Sequence, residues 1–241
     1  MKRPDSNLEK NRESNGMEVS PKKMTLAIIG GTGKEGKGLA LRWAKAGYRI
    51  LIGSRSPEKA IEAARDIREL CTGEADVEGT TNWNAAMTAD IVVLTVPYAA
   101  HRITLENIRE ALQGKTLIDV TVPLAPPNIT RVQIPPDGSA AQEAHVILGK
   151  NVAVTSAFQN IAYEHLLQEE ELDYDVLVTG TTREARALTL DLASAAGMTG
   201  WDAGPLENSI VIEGLTSVLL YINRQYKSKN AGIKIVGVIK E

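Results

Sequence analysis

Cysteine is almost missing from this sequence: Cys71 is the only one in 241 residues, which excludes an intrachain disulfide framework and any thiolate metal cluster. A lone thiol in a helical stretch is read as a small hydrophobe, not a nucleophile. Aromatic residues are scarce too, at 4% with a single phenylalanine. No run approaches the roughly 20 apolar residues that a membrane-spanning helix needs. An excess of positive charge is also lacking. The 27 Lys and Arg against 30 Asp and Glu give a net charge of -3, which carries no general attraction to polyanions, so neither nucleic acid nor a membrane is an expected partner. The histidines His101, His145 and His165 show no metal-ligand spacing, and no metal is expected.

What is there is ordinary globular material, 43% hydrophobic and 24% charged. Residues 1–23 are dense in charge, Asn and Ser and contain no apolar stretch. They read as a disordered extension without a secretory leader, with Met17 or Met24 an equally good start of the folded unit and the cytoplasm the expected compartment. From Met24 short apolar runs alternate with helical periodicity, the pattern of a parallel sheet flanked by helices. Thr25–Gly30 reads as a buried strand and Glu35–Ala46 as a helix ended by Gly47. A strand at Arg49–Ile52 follows, then a helix from Pro57 to about Leu70, broken at Thr72-Gly73. Asp90–Val96 and Thr116–Val120 are strands closed by prolines, Ser139–Leu148 is a helix, and Asn151–Ala157 is a further strand. Beyond Gln159 the sequence predicts a short helix, a strand at Val176–Val178, a helix over Thr182–Ala196 and a final apolar helix over Leu206–Tyr226. The carboxylates Glu169–Glu171 read as a solvated helix end. The expected fold is α/β, a Rossmann-type, doubly wound, mostly parallel sheet over residues 24–157, with a smaller, mainly helical C-terminal lobe over 158–241.

Gly31-Thr32-Gly33-Lys34-Glu35-Gly36 matches G-x-G-x-x-G directly after a predicted buried strand and opens a predicted helix. In that context Gly31 allows a tight turn, Gly33 lets phosphate approach backbone N–H groups, and Gly36 permits close helix–strand packing. At the end of the second strand a free ribose 2′-hydroxyl would call for an acidic residue. The chain instead has Gly53-Ser54-Arg55-Ser56-Pro57-Glu58-Lys59, placing a hydroxyl, a guanidinium and an ammonium where a 2′-phosphate would sit. NADP(H) is the expected cofactor, with Thr32 adding a hydrogen bond. Thr95, Val96 and Pro97, Val122 in the Thr121–Leu124 turn, and Ala157 all fall at C-terminal strand ends, where ligands of open α/β sheets bind. These are assigned to the nicotinamide side.

Taken together, the segments IIGGTGKEGKGLALRWAKAGY, IGSRSPEKA, VVLTVPYAAH, DVTVPL and DAGPLENSIVIEGLT with the later GIK resemble the coenzyme F420-dependent NADP oxidoreductases over Met24–Lys234. The resemblance implies that Thr32, Ser54, Arg55 and Lys59 hold the adenosine phosphate end of NADP. It further implies that the C-terminal part closes over the nicotinamide and that hydride passes directly to or from a deazaflavin. Such a transfer needs alignment and water exclusion more than an acid or base. The family often has histidine, then isoleucine two residues later and then proline after the strand near residue 157. This chain reads Gln159-Asn160-Ile161-Ala162, so Gln159 and Ile161 are the nicotinamide-side candidates, with Gln159 expected to donate to a carboxamide or ring carbonyl. Other expectations stay open: an NADPH-dependent reductase of a flavin, carbonyl or imine compound, or a module that senses NADP(H) without turnover. The strip Ile210, Val211, Leu215, Val218 and Leu219 on the final helix suggests a homodimer.

Overall fold

The fold is described from a computed structural model that covers residues 24–72, 75–168 and 172–238. The expected extension 1–23, Gly73 and the run Glu169–Glu171 lie outside the described residues. Strand and helix alternate through β1 (Thr25–Ile29), α1 (Lys34–Lys45), β2 (Arg49–Ser54), α2 (Pro57–Leu70), β3 (Val77–Thr81), α3 (Asn82–Thr88) and β4 (Ile91–Leu94). The chain continues through α4 (Tyr98–Ile108), β5 (Thr116–Asp119), α5 (Ala140–Leu148) and β6 (Ala153–Ser156). It then forms α6 (Tyr163–Leu166), β7 (Asp175–Gly180), α7 (Arg183–Ala195), β8 (Thr199–Pro205) and α8 (Ser209–Tyr226).

The strands build one sheet in the order β3-β2-β1-β4-β5-β6-β7-β8. Every neighbouring pair is parallel except β6 with β7. This is the expected doubly wound, mostly parallel sheet, and its strand order reverses between β1 and β4, where a crevice opens at the C-terminal strand ends. β1 is buried throughout because both faces are covered: Leu26 and Ile28 enter one apolar layer with Trp43 and Phe158, Ala27 and Ile29 the opposite layer with Leu94 and Leu105. The sheet runs on through residue 157, the position at which the sequence pattern divides the chain.

Four elements escape the sequence pattern, among them α4, which follows Pro97 directly. β3 is an edge strand, VEGTT, with only Val77 buried, so it lacks the apolar run of a central strand. α3 is a short helix whose N-cap Thr81 accepts from Asn84 N at 3.1 Å. β8, TGWDAGP, carries two glycines and a proline, residues depleted in strands. Boundaries shift modestly: β2 runs on to Ser54, β4 stops before Thr95, and Leu206–Asn208 is a 3-10 turn ahead of α8.

α8 is amphipathic in the opposite sense to a core helix. It buries Ser209, Glu213 and Ser217 alongside Ile212 and exposes Val211, Val218, Tyr221 and Ile222. Glu213 accepts from the amides of Ala140 and Ala141 at 2.7 and 3.1 Å, and Ser209 shares a hydrogen bond with Ser139, so these polar groups satisfy the first turn of α5.

Candidate active site

A cleft of about 930 Å³ follows the C-terminal ends of the strands, from Ser54, Arg55, Ser56 and Lys59 past Thr32–Glu35 to Val122, Gln159 and Ile161. Such a volume is ample for a dinucleotide. Its middle is the turn between β1 and α1. Gly30, not Gly31, takes the left-handed backbone there (φ +75°), and a Cβ on it would lie 2.6 Å from Val96 Cγ1, so only glycine fits. Gly31 is buried and donates to Gly53 O at 3.2 Å, while Gly36 lies so close to Thr95 Oγ1 and Gly31 Cα that a Cβ would come within 2.6 and 2.8 Å. Both shape the cleft without lining it. Gly33 is exposed on the cleft wall, but its own amide is spent on Gly30 O at 3.1 Å. The amides that carry no intrahelical bond are therefore those opening α1, whose first intrahelical bond runs from Lys37 N to Gly33 O at 2.9 Å.

Of the residues singled out in the sequence, Thr32, Gly33, Lys34, Glu35, Ser54, Arg55, Lys59, Thr95, Val96, Pro97, Val122, Gln159 and Ile161 all line this one cleft. Ala157 does not; it is fully buried in the core with Trp43 and Phe158. Residues the sequence pattern missed include Asn82, Tyr163, Thr216 and Leu220, which belong to elements unassigned from sequence or come from distant helices. At the β2 end of the cleft Arg55 and Lys59 are exposed and Ser54 Oγ accepts from Ser56 N at 3.2 Å. An adjoining hollow of about 350 Å³ is lined by Trp83, Ile103, Thr104 and Asn107.

Two groups in the wall have unusual chemistry. Burial, helped by Glu164, pushes the Glu35 carboxyl up to about 8, and its Oε1 has no hydrogen-bond partner. Lys34 reaches across the mouth to Tyr163 OH at 2.8 Å, its ammonium 4.6 Å from that ring centroid. Further back on the same stripe of α1, Leu166 packs over Gly38, and Arg42 donates to the carbonyls of His165, Leu166 and Gln168 at 3.0, 3.0 and 2.6 Å.

The opposite end rests on a buried polar frame. His101 Nε2 donates to Asp119 Oδ2 at 2.7 Å with both side chains fully buried. Burial alone would lower the imidazole pKa, but the charge and hydrogen bond of Asp119 outweigh it and the net shift is upward. Asp119 Oδ1 accepts from Thr121 N at 2.9 Å, fixing the turn that carries Val122. Behind this pair Glu143 accepts from Tyr98 OH at 2.8 Å and from Arg102 at 3.0 Å. In the sequence the only trace of the frame is an aspartate closing a buried strand and a histidine one turn beyond Pro97.

Gln159 is turned differently from the sequence expectation. Its Nε2 already donates to Asp119 O and Ser156 Oγ at 2.8 and 2.7 Å, whereas Oε1 is buried without a partner. Its donors are therefore spent within the wall, and the one unpaired side-chain atom is an acceptor.

A doubly wound sheet with a glycine turn at its crevice defines the chain as a dinucleotide-binding α/β protein of Rossmann type. The family model described as NADP oxidoreductase, coenzyme F420-dependent, matches residues 25–123. The F420-dependent NADP reductase of Methanocaldococcus jannaschii is 42% identical over 223 residues, 89% of this chain and 99% of that protein. Its counterpart from Methanothermobacter thermautotrophicus is 39% identical over 222 residues, 89% of this chain and 96% of that one. The crystal structure of an Arthrobacter sp. FB24 protein superposes with a TM-score of 0.76 at 22% identity, covering 89% of this chain and all of that one, a likeness of fold. The chain belongs to the F420-dependent NADP reductase family.

Proposed function

We propose that this protein transfers hydride between NADP(H) and coenzyme F420. The observation that carries the reading is the continuous cleft from the cations Arg55 and Lys59, past the amides of α1, to the buried acceptor at Gln159. The residues present suit a phosphorylated dinucleotide. Arg55, Lys59 and the Ser54 hydroxyl would take the 2′-phosphate, the opening amides of α1 with Thr32 the pyrophosphate, and the hollow between Trp83 and Ile103 the adenine. When bound, the nicotinamide and the deazaflavin supply the hydride-transfer chemistry between them. This chain's residues orient the rings and keep water out. A second cleft of about 310 Å³ shares Gln159, Ile161, Tyr163, Thr216 and Leu220 with the first, so two ring systems can meet at that wall; we assign the deazaflavin to it. His101 and Asp119 hold the wall in place and take no proton from the reaction.

Mixing the purified protein with NADPH and oxidised F420 tests the reading: loss of the oxidised deazaflavin absorbance is expected, and its persistence at every pH overturns it. Turnover of a flavin, carbonyl or imine compound without F420, or tight NADPH binding without any acceptor, would replace it with the corresponding alternative. We further take residues 24–157 as the nucleotide-holding part and 158–241 as the part that supplies the opposite wall. We place the enzyme in the cytoplasm, in keeping with the finding that no helix among the described residues is long and apolar enough to cross a membrane. The exposed apolar strip of α8 supports a homodimer, which sedimentation at micromolar protein would show as twice the 26.0 kDa chain mass.

A further inference from the structure

The backbone carbonyl and the side-chain N–H groups of Gln159 are committed, and its side-chain oxygen is not. The backbone carbonyl accepts from Thr216 Oγ1 at 3.0 Å, and the two side-chain N–H groups go to Asp119 O and Ser156 Oγ. Because Asp119 O is a carbonyl and can only accept, the amide cannot turn over, and Oε1 is forced to be the atom left over. The residue is 6% exposed, lines the cleft, and its Oε1 has no partner. Leaving a buried acceptor unpaired costs about 1–3 kcal/mol, and nothing in the surrounding core requires that cost.

The backbone leading into it is strained as well. Phe158 is a left-handed non-glycine residue (φ 74°), and its buried ring stands edge-to-face with Trp43, centroids 5.6 Å apart. Its neighbour Asn160 donates to Ile212 O and Thr216 Oγ1, both at 3.0 Å. An unfavourable conformation pinned from several sides marks a place where position matters to function.

We propose that Gln159 Oε1 is the acceptor for the carboxamide N–H of the nicotinamide, and that it makes the site selective for a ring bearing that donor. The inference rests on the NADP(H) reading above and deepens it. Calorimetry with NADP+ and with its 3-acetylpyridine analogue, which keeps the carbonyl but lacks the N–H, tests it without turnover. The unmutated protein should bind NADP+ about 5–10-fold more tightly than the analogue, the weight of one neutral hydrogen bond. In Gln159→Met the ratio should fall close to one through weaker NADP+ binding alone. Should that variant fail to fold, Gln159→Asn, which withdraws the oxygen by one methylene, should lower the same ratio. Equal binding of the two dinucleotides by the unmutated protein, or an unchanged ratio in a folded variant, overturns the proposal while the NADP(H) reading stands. Absence of any heat with NADP+ removes both.

Discussion

The two ends of the cleft are built on different principles. The end at β1 and β2 consists of a turn, a helix start and exposed side chains from residues 30–59, all close in sequence, and it presents backbone amides and solvated cations. The end at Gln159 consists of buried and half-buried groups from α4, β5, α8 and the segment after β6, which bond one another across 18 to 57 residues of chain. The first can lose a charge and remain folded. The second cannot lose a partner without stranding another, because a buried group deprived of its hydrogen bond keeps its full desolvation penalty.

That contrast predicts its largest effect away from the phosphates. His101→Leu leaves the buried Asp119 side chain without its imidazole partner, and chemical denaturation should show a loss of about 3–5 kcal/mol. The fraction that remains folded should still bind 2′,5′-ADP normally; a parallel loss of that binding would show the two ends to be one unit. Next comes Gly36→Val, whose side chain must push Thr95 and Gly31 apart. NADPH affinity should drop at least about 100-fold by calorimetry, equivalent to two steps of 1.4 kcal/mol. The paired change Arg55→Ala with Lys59→Ala should weaken NADPH by about 10–100-fold and leave NADH unchanged, since only charge-assisted bonds to one phosphate are removed. If NADH weakens equally, these cations do not read the 2′-phosphate.

The smallest effect is a pH dependence. Glu35 keeps its proton up to about 8 in the folded chain, whereas an unfolded chain ionises it near the ordinary carboxylate value. Its contribution to stability is therefore complete below that ordinary value and is lost as pH rises through about 8. Above 8 the carboxylate also faces an incoming pyrophosphate. NADPH affinity should fall a few-fold, about 1 kcal/mol or less, between pH 7 and 9, as expected of a single charge in a partly wet site. In Glu35→Gln both the stability slope and the affinity slope should flatten, as paired melting curves and titrations would show.

How far each end can be read from sequence follows the same division. The glycine turn, Ser54, Arg55 and Lys59 were visible because a strand, a turn and a helix start must follow one another along the chain to make a phosphate site. Even there the left-handed position fell on Gly30, one residue before the motif, since the pattern specifies glycines and not their φ angles. The His101–Asp119 pair, Thr216 and the orientation of Gln159 were not visible: each depends on which distant elements the sheet brings together. Gln159 drew notice only as a departure from the family's histidine, and the donor role expected of it reversed once Asp119 O was seen to occupy its amide. β8 hid for a related reason, its glycines and proline masking a strand that the pairing with β7 enforces.

The stripe Lys34, Gly38 and Arg42 gives α1 a second task. The helix opens its leading turn on the cleft, and its flank, over a length of about 18 Å, meets residues 163–168 at three successive turns. Head and flank belong to one stiff rod, so the spacing between the glycine turn and the wall at residues 163–168 is set by helical rise. The cleft is thus a gauge of fixed length, and a change at Arg42, which does not line it, should register as a mismatch in reach.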